Sequence, residues 1–145
     1  MILMAAERTL IIVKPDGVKK GLVGEVLKRF EQAGLKIAGL KMRKLKKKML
    51  EEHYAHHKDK PFFKGLCRFM KSAPVVFAVL EGENAVAKVR ELCGPTDSKQ
   101  APKGTIRGDL GEDVQMNILH ASDSIETANA EIPRFFKKSE VYERK

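Results

Sequence analysis

With 145 residues, 43% of them hydrophobic and 32% charged, the chain has the size and composition of one globular domain that needs no disulfide or metal to fold. No apolar run approaches the length of a bilayer, and residues 1–6 are too short for the core of a signal peptide, so we expect no membrane segment and no leader. The formal charge of +9 favours anionic partners, a class that includes both nucleotides and nucleic acids.

The first half of the chain predicts two strands with a helix between them. Residues 9–13 are a continuous aliphatic and β-branched run, which indicates a strand covered on both faces. Residues 14–17 carry turn chemistry, and apolar residues at helical spacing then predict a helix that ends at Gly34. Residues 35–45 return to strand character with a change of apolar phase near Gly39, where we expect a β-bulge.

The second half predicts six further elements. They are two short helices, a strand, a helix, a strand and a last helix, at residues 50–57, 61–70, 75–80, 85–92, 114–119 and 124–132 respectively. The pair Asp123 and Glu126 resembles a capping box at the start of the last helix, and we expect Pro133 to end it.

This order of elements predicts an α+β fold, namely a ferredoxin-like βαββαβ antiparallel sheet with an inserted helical hairpin and a C-terminal helix. No linker or repeat divides the chain, so we expect residues 1–145 to form a single domain. One stretch breaks the pattern, because residues 96–113 show no periodicity and contain Pro102 and three glycines. A structureless loop of that length in so compact a domain is usually functional or disordered.

Several common catalytic motifs are missing from the sequence. There is no G-x-x-x-x-G-K-[ST] and no G-x-G-x-x-G motif, so phosphate binding has to rest on side chains. There is no H-E-x-x-H motif, and the histidines form no zinc pattern with Cys67 and Cys93, which we expect to be reduced thiols in a cytoplasmic protein. Three histidines lie on a charged predicted helix and are expected at the surface: His53, His56 and His57.

The fourth histidine, His120, stands where a predicted strand opens onto the start of a helix. Anionic ligands gather at such a place, because the free N–H groups and the dipole of the helix point there. An imidazole that attacks phosphorus needs one free nitrogen and a carboxylate on the other, and Glu131 lies two turns into the next predicted helix. From spacing alone, two interpretations of His120 are equally favoured: a nucleophile, or a residue that only caps the strand.

A longer run around His120 resembles a known signature. Residues 117–124 (NILHASDS) look like the active-site motif of nucleoside diphosphate kinases. The resemblance extends from about residue 8 to residue 136, with further matching motifs at residues 13–17, 53–54, 58–63 and 103–109.

The resemblance implies a ping-pong reaction. In it, Nδ1 of His120 attacks the γ-phosphate of a nucleoside triphosphate such as ATP, and the phosphohistidine then passes the group to a nucleoside diphosphate. Glu131 is implied to hold the other ring nitrogen, and Ser122 to support Glu131. Five residues match the family's contacts to the phosphates: Lys14, Tyr54, Arg90, Thr96 and Arg107.

The remaining contacts implied by the resemblance concern the sugar, the base and a metal ion. Asn117 is matched to the sugar hydroxyl, while Phe62 and Val114 enclose the base with Leu66 nearby. Stacking accepts every base, so low base specificity follows. Mg²⁺ is expected on the triphosphate, and because no carboxylate cluster forms a cage for it, the ion is expected to arrive with the nucleotide.

The resemblance also implies a homo-oligomer, because family members form tetramers or hexamers. Residues 97–101 resemble the family's subunit-contact loop only loosely, and the C-terminal tail is short and basic, so the number of subunits stays open. Ala121 replaces a glycine that is common in the family, and Lys60 replaces a common arginine, which weakens any bidentate pairing there.

Two other functions compete with this enzyme. RNA-binding proteins with this frame carry aromatic side chains on the central strands, and residues 9–13 and 114–119 carry none. This argues against nucleic-acid binding as the primary role and leaves a secondary, salt-sensitive association with nucleic acid open. A nucleotide sensor without activity could lose its nucleophile, but His120 and its matched partners are all present. The sequence therefore favours the enzyme.

Overall fold

Four strands form one sheet in the computed structural model, which describes residues 6–144. The strands are β1 (Glu7–Val13), β2 (Lys36–Arg43), β3 (Val75–Gly82) and β4 (Leu119–Ala121). Their order across the sheet is β2-β3-β1-β4, and every neighbouring pair is antiparallel. Residues 1–5, most of the segment that we expected to be too short for a leader, lie outside the described residues.

Seven α-helices and three short 3₁₀ helices of the described chain surround the sheet. The α-helices are α1 (Pro15–Lys19), α2 (Val23–Gln32), α3 (Lys47–His53), α4 (Phe63–Met70), α5 (Ala85–Cys93), α6 (Ile106–Leu110) and α7 (Ile125–Phe135). The 3₁₀ helices are Ala55–His57, Ser98–Gln100 and Lys138–Glu140. The predicted α+β class and the ferredoxin-like sheet with its inserted helical hairpin, α3 and α4, are confirmed.

The aliphatic run in β1 is buried because both faces of the sheet are covered. Ile11 and Val13 pack into a core with residues of α2 and α5. Leu10 and Ile12 point the other way into a second core with residues of α3, α4 and α7. Successive side chains of a strand alternate between faces, so a strand with two covered faces needs apolar residues at every position.

Two local predictions in the first half are confirmed and one is wrong. The register between β2 and β3 shifts between Ile37 and Gly39, which is the expected bulge. Gly34 follows the C-cap of α2 with φ of 90°, a left-handed conformation that glycine adopts without strain. The turn predicted at residues 14–17 is instead the short helix α1, which begins with Pro15, because proline's fixed φ favours the first helical position.

The strand predicted at residues 114–119 lies further along the chain. The Asp113 carboxylate accepts hydrogen bonds from the backbone N–H groups of Gln115 and Met116, which closes a turn where the strand was expected. Side-chain bonds of this kind compete with a strand ladder. Pairing with β1 therefore begins only at Leu119 and ends at Ala121.

The end of the chain and the irregular loop also differ from the predictions. Residues 96–113 contain a 3₁₀ turn and α6, whose N-cap Thr105 accepts a bond from the Gly108 N–H. Helix α7 is capped by Ser124 rather than by Asp123. Pro133 lies inside its last turns and does not end the helix, which continues to Phe135.

Two further predictions concern the state of the cysteines and the expected lack of a membrane-spanning segment. Cys67 and Cys93 are free and buried, which confirms the reduced thiols. Among the helices of residues 6–144, none is both long and apolar enough to cross a membrane.

Candidate active site

A cavity of about 140 Å³ opens where β4, α5 and the start of α6 meet the end of β1. Most of its lining is polar, and it contains the residues that the sequence matched to a phosphate chain. His120 lines it together with Lys14, Tyr54, Arg90, Thr96, Arg107 and Asn117. These residues come from five separate segments, and the fold brings them to one place.

His120 is held from one side by Glu131. The strand β4 places His120 opposite Ile12, and helix α7 turns Glu131 back towards the ring. Nε2 of His120 lies 3.1 Å from both carboxylate oxygens, and Ser122 Oγ donates to Glu131 Oε1 at 2.6 Å. A carboxylate only accepts, so Nε2 carries the hydrogen and the lone pair remains on Nδ1.

The carboxylate of Glu131 stays ionised although it is buried. Burial raises its pKa, but the hydrogen bond and charge of His120 and the bond from Ser122 act more strongly and lower the pKa to about 2. A negative charge at this point stabilises any positive charge that develops on the His120 ring. The pair therefore suits an imidazole that attacks an electrophile through Nδ1.

Lys14 places a buried amine in the same cavity. Its Nζ donates to Asn117 Oδ1 at 2.8 Å and to the Gln115 carbonyl, and the ammonium lies 5.3 Å from the centre of the Phe69 ring. Burial lowers the pKa of Lys14 to about 8, partly offset by the negative charge of Asp16. An entering phosphate supplies the counter-charge that this amine lacks.

Arg107 is more firmly tied to the protein than a phosphate contact requires. It is buried and donates to the carbonyls of Gly94, Asn117 and Leu119 at 2.9, 3.3 and 2.7 Å. Two of these carbonyls flank Ile118, so the guanidinium holds the entry to β4 as well as lining the cavity. Arginine has five donors, which leaves capacity for an anion.

Ile118 marks backbone strain beside the nucleophile candidate. Its φ of 76° is left-handed, which costs a β-branched residue about 1–3 kcal/mol. The N–H of Ile118 donates to Asp16 at 2.9 Å, and its carbonyl accepts from the Lys14 N–H at 2.8 Å. These two bonds to the segment after β1 stabilise the strained conformation of Ile118, which sets the path of the backbone between Asn117 and His120.

The part of the cavity lining formed by Arg90 and Thr96 is exposed to solvent, and the charge of Arg90 is already paired. Arg90 donates to Asp123 at 2.8 Å, and both side chains are open to solvent. Thr96 is exposed, while its carbonyl accepts from the amide of Asn117. That amide also donates to the Val114 carbonyl, so Asn117 is fully bonded within the protein.

The residues matched to the base lie outside the cavity. Phe62 and Val114 are 51% and 59% exposed, and Leu66 is half-buried. They belong to α4, its N-cap and the loop after α6. Phe69 packs against the second core and lines a separate open cleft of about 630 Å³, which Phe62, Leu66 and Val114 do not line.

His53 was expected at the surface, and this prediction is wrong. Its ring is buried and meets the His120 ring edge-on, with 4.7 Å between the centroids. Burial lowers the pKa of His53 to about 3, so the ring is neutral. The helical spacing from the buried Leu50 places His53 on the inward face, a signal that the sequence offered. His56 is exposed as expected, and His57 is half-buried.

One group of side chains has the composition of a metal site. Ligand atoms of His53, His120 and Glu131 lie within 4.8 Å of one another. However, Nη1 of Arg134 is 3.1 Å from Nδ1 of His53, and a guanidinium can only donate. The lone pair that a metal ion needs is thus already used, and the group is a hydrogen-bonded network.

The comparisons with known proteins agree with this geometry. A family model described as "Nucleoside diphosphate kinase" matches residues 7–141. The chain belongs to the nucleoside diphosphate kinase family. Nucleoside diphosphate kinase 1 of Protochlamydia amoebophila is 53% identical over 141 residues, which cover 97% of this chain and all of that protein. The enzyme of Staphylothermus marinus is 50% identical over 138 residues, which cover 95% and 98% of the two chains.

Solved structures of nucleoside diphosphate kinases also superpose closely on the chain. A crystal form of the Aquifex aeolicus enzyme has a TM-score of 0.90 at 49% identity, covering 94% of this chain and 99% of that one. The Halobacterium salinarum enzyme in complex with CDP has a TM-score of 0.93 at 45% identity, covering 96% and 93%. The protein is therefore an enzyme that transfers the γ-phosphate of a nucleoside triphosphate to a nucleoside diphosphate.

Proposed function

We propose that His120 carries the phosphoryl group between the two nucleotides. Nδ1 attacks the γ-phosphorus, the bond from that phosphorus to the β–γ bridging oxygen breaks, and the nucleoside diphosphate leaves. A second diphosphate then attacks the phosphohistidine with a terminal oxygen, and the bond between phosphorus and Nδ1 breaks. The observation that carries the proposal is the pair of 3.1 Å contacts from Glu131 to Nε2, since they leave Nδ1 as the free nitrogen in a cationic cavity.

The other cavity residues divide between orientation and stabilisation of charge. Glu131, supported by Ser122, keeps the ring in the reactive tautomer. Phosphoryl transfer depends mainly on position and on charge stabilisation at the phosphate oxygens. We assign this work to the residues in and beside the cavity that can donate to an anion: Lys14, Tyr54, Arg90, Thr96 and Arg107.

We assign the nucleoside to the exposed apolar side chains at the N-cap of α4 and in the loop after α6. Phe62 and Val114 present exposed apolar surface to the base, with Leu66 in the same segment as Phe62. Asn117, which lines the phosphate cavity, is assigned to the sugar hydroxyl. Apolar stacking surfaces read no hydrogen-bond pattern of the base. Low base specificity therefore follows from the proposal.

Mg²⁺ is expected to enter bound to the nucleotide. Among the described residues that line the cavity, the single carboxylate is Asp123, which is paired with Arg90. Oxygen ligands for Mg²⁺ therefore have to come largely from the phosphates, and this donor set fits an ion carried by the substrate. Bound there, the ion supplies charge neutralisation on the transferred group.

Two further proposals concern the state of the protein in the cell. Leu40 and Met42 expose 51% and 58% of their surface on β2, an edge strand, and exposed apolar edges are commonly covered by another chain. We infer a homo-oligomer, a tetramer or a hexamer, in which each chain of residues 1–145 is one domain. Its buried free thiols suit a reducing compartment such as the cytoplasm.

Labelling with γ-³²P ATP tests the central proposal. The wild type should take up protein-bound phosphate that survives alkali, is lost in acid and is removed by GDP. His120→Ala should take up none, whereas His56→Ala, which changes an exposed histidine, should label normally. A label that persists in His120→Ala would show that another residue carries the phosphate.

A further inference from the structure

Two imidazoles face the carboxylate that holds the nucleophile. Nε2 of His120 lies 3.1 Å from Glu131, and Nδ1 of His53 lies 3.7 Å from Glu131 Oε2. All but a few per cent of the surface of the His53 and Glu131 side chains is buried, so water does not separate them. A shift of a few tenths of an ångström would bring Nδ1 of His53 within hydrogen-bonding distance of the same carboxylate.

Arg134 decides which nitrogen of His53 carries the hydrogen. It lies one turn after Glu131 on α7, and its Nη1 is 3.1 Å from Nδ1 of His53. A guanidinium has donors only, so Nδ1 has to accept and the hydrogen of the neutral ring resides on Nε2. The low pKa of His53, caused mainly by burial, agrees with a ring that does not also take a second proton.

We propose that Arg134 is a positioning residue, which occupies Nδ1 of His53 and thereby reserves the carboxylate of Glu131 for Nε2 of His120. Without Arg134, the neutral His53 ring can move its hydrogen to Nδ1 and donate to Glu131. That second hydrogen bond to Glu131 would weaken the bond between Glu131 and Nε2 of His120, and Nδ1 of His120 would become a poorer nucleophile. The inference rests on the proposed role of His120 as phosphate carrier.

The tautomer of His53 can be observed directly. Long-range ¹H–¹⁵N correlation spectra of the ¹⁵N-histidine-labelled wild type should show an unprotonated Nδ1 and a protonated Nε2 for His53 at neutral pH. In Arg134→Met the pattern should reverse, and in Arg134→Lys, which keeps a donor, it should remain. A protonated Nδ1 in the wild type overturns the proposal without the need for any variant.

Kinetics show whether the tautomer matters for the enzyme. Since a hydrogen bond to a charged group is at stake, we expect Arg134→Met to slow the single-turnover uptake of phosphate from ATP about tenfold. If Arg134 acts through His53, the same change in a His53→Phe background should add nothing, because phenylalanine cannot donate to Glu131. An equal loss in both backgrounds overturns the inference.

Glu52→Gln is the matched control for the charge of Arg134. Nε of Arg134 is 3.6 Å from Glu52, so this variant removes the surface partner and leaves the contact to His53. It should keep the wild-type tautomer and rate, and a tenfold loss in Glu52→Gln would assign the effect to the ion pair instead. Failure of the wild type to label on His120 would count against the proposed function, while the spectra would still test the role of Arg134.

Discussion

The two ends of the proposed nucleotide site are built in opposite ways. At the phosphate end, His120, Lys14 and Arg107 are hydrogen-bonded to the protein before any substrate is present. At the base end, Phe62 and Val114 expose more than half of their surface and offer the base no polar side-chain atoms. The end assigned to the chemistry is hydrogen-bonded and charged, and the end assigned to the base is open and apolar.

This difference follows from what each end has to recognise. The transferred phosphate is the same in every substrate, so fixed donors stabilise its transition state without reorganisation. The bases differ in their hydrogen-bonding groups but share a flat aromatic face, so a fixed polar contact would reject some of them. Substitutions at the phosphate end should therefore lower the rate of transfer, and substitutions at the base end should mainly weaken binding.

The largest effect is expected for Glu131→Gln. The amide can donate to Nε2 of His120, which would shift the ring hydrogen to Nδ1, the nitrogen that has to attack. A wrong tautomer of this kind should slow phosphate uptake on the order of 1000-fold. Rapid-quench measurement of phosphohistidine formation provides the test. Glu126→Gln, an exposed change on the same helix, should behave as the wild type, and a loss below tenfold for Glu131→Gln would count against the orienting role.

Lys14 should give the enzyme an alkaline limit. Its pKa of about 8 means that the ammonium loses its proton as the pH rises through 8, so kcat/KM should fall above that pH. In Lys14→Gln, kcat/KM should be lower on the order of 100-fold and flat from pH 7 to 9.5. Steady-state profiles of both proteins check this. A wild-type profile that stays flat to pH 9.5 would show that Lys14 is not the titrating group.

A smaller effect is expected at the base end. Phe62→Ala removes a stacking surface, which should raise KM about tenfold for each of the four nucleoside triphosphates, with kcat nearly unchanged. Phe62→Trp keeps an aromatic face and should restore KM. A loss confined to one base would contradict a site that does not distinguish bases, and steady-state kinetics with ATP, GTP, CTP and UTP would reveal it.

The smallest effect is expected at the exposed wall. Asp123 occupies Arg90 at 2.8 Å, so Asp123→Asn should free the guanidinium and lower KM by about threefold or less, because exposed ion pairs are weak. The gain should disappear when salt is raised to 0.5 M. Glu91→Gln changes the net charge equally without touching this pair, and it should leave KM unchanged. A rise in KM for Asp123→Asn would show that the carboxylate itself supports binding.

The accuracy of the sequence predictions depended on how local each signal is. The strand β1, the bulge at Gly39 and the helix end at Gly34 were confirmed, because each depends on a pattern within a few residues. The predicted start of β4 was wrong, because the turn closed by Asp113 competes with strand pairing. Where β4 begins is decided by its pairing with β1, which is distant in the chain. His53 was misplaced because the charged residues of its helix were given more weight than its helical spacing from Leu50, which indicated the inward face.

The sequence alone was enough to determine the order of the elements, the α+β class and the family, because periodicity and motif spacing are properties of the chain itself. Tertiary structure decided the chemical state of the site. The pKa of Lys14 follows from burial among distant segments, and the tautomer of His53 from Arg134, 81 residues away along the chain. Desolvation and competition for one carboxylate both depend on which residues lie close together in space, and those contacts form only when the chain folds.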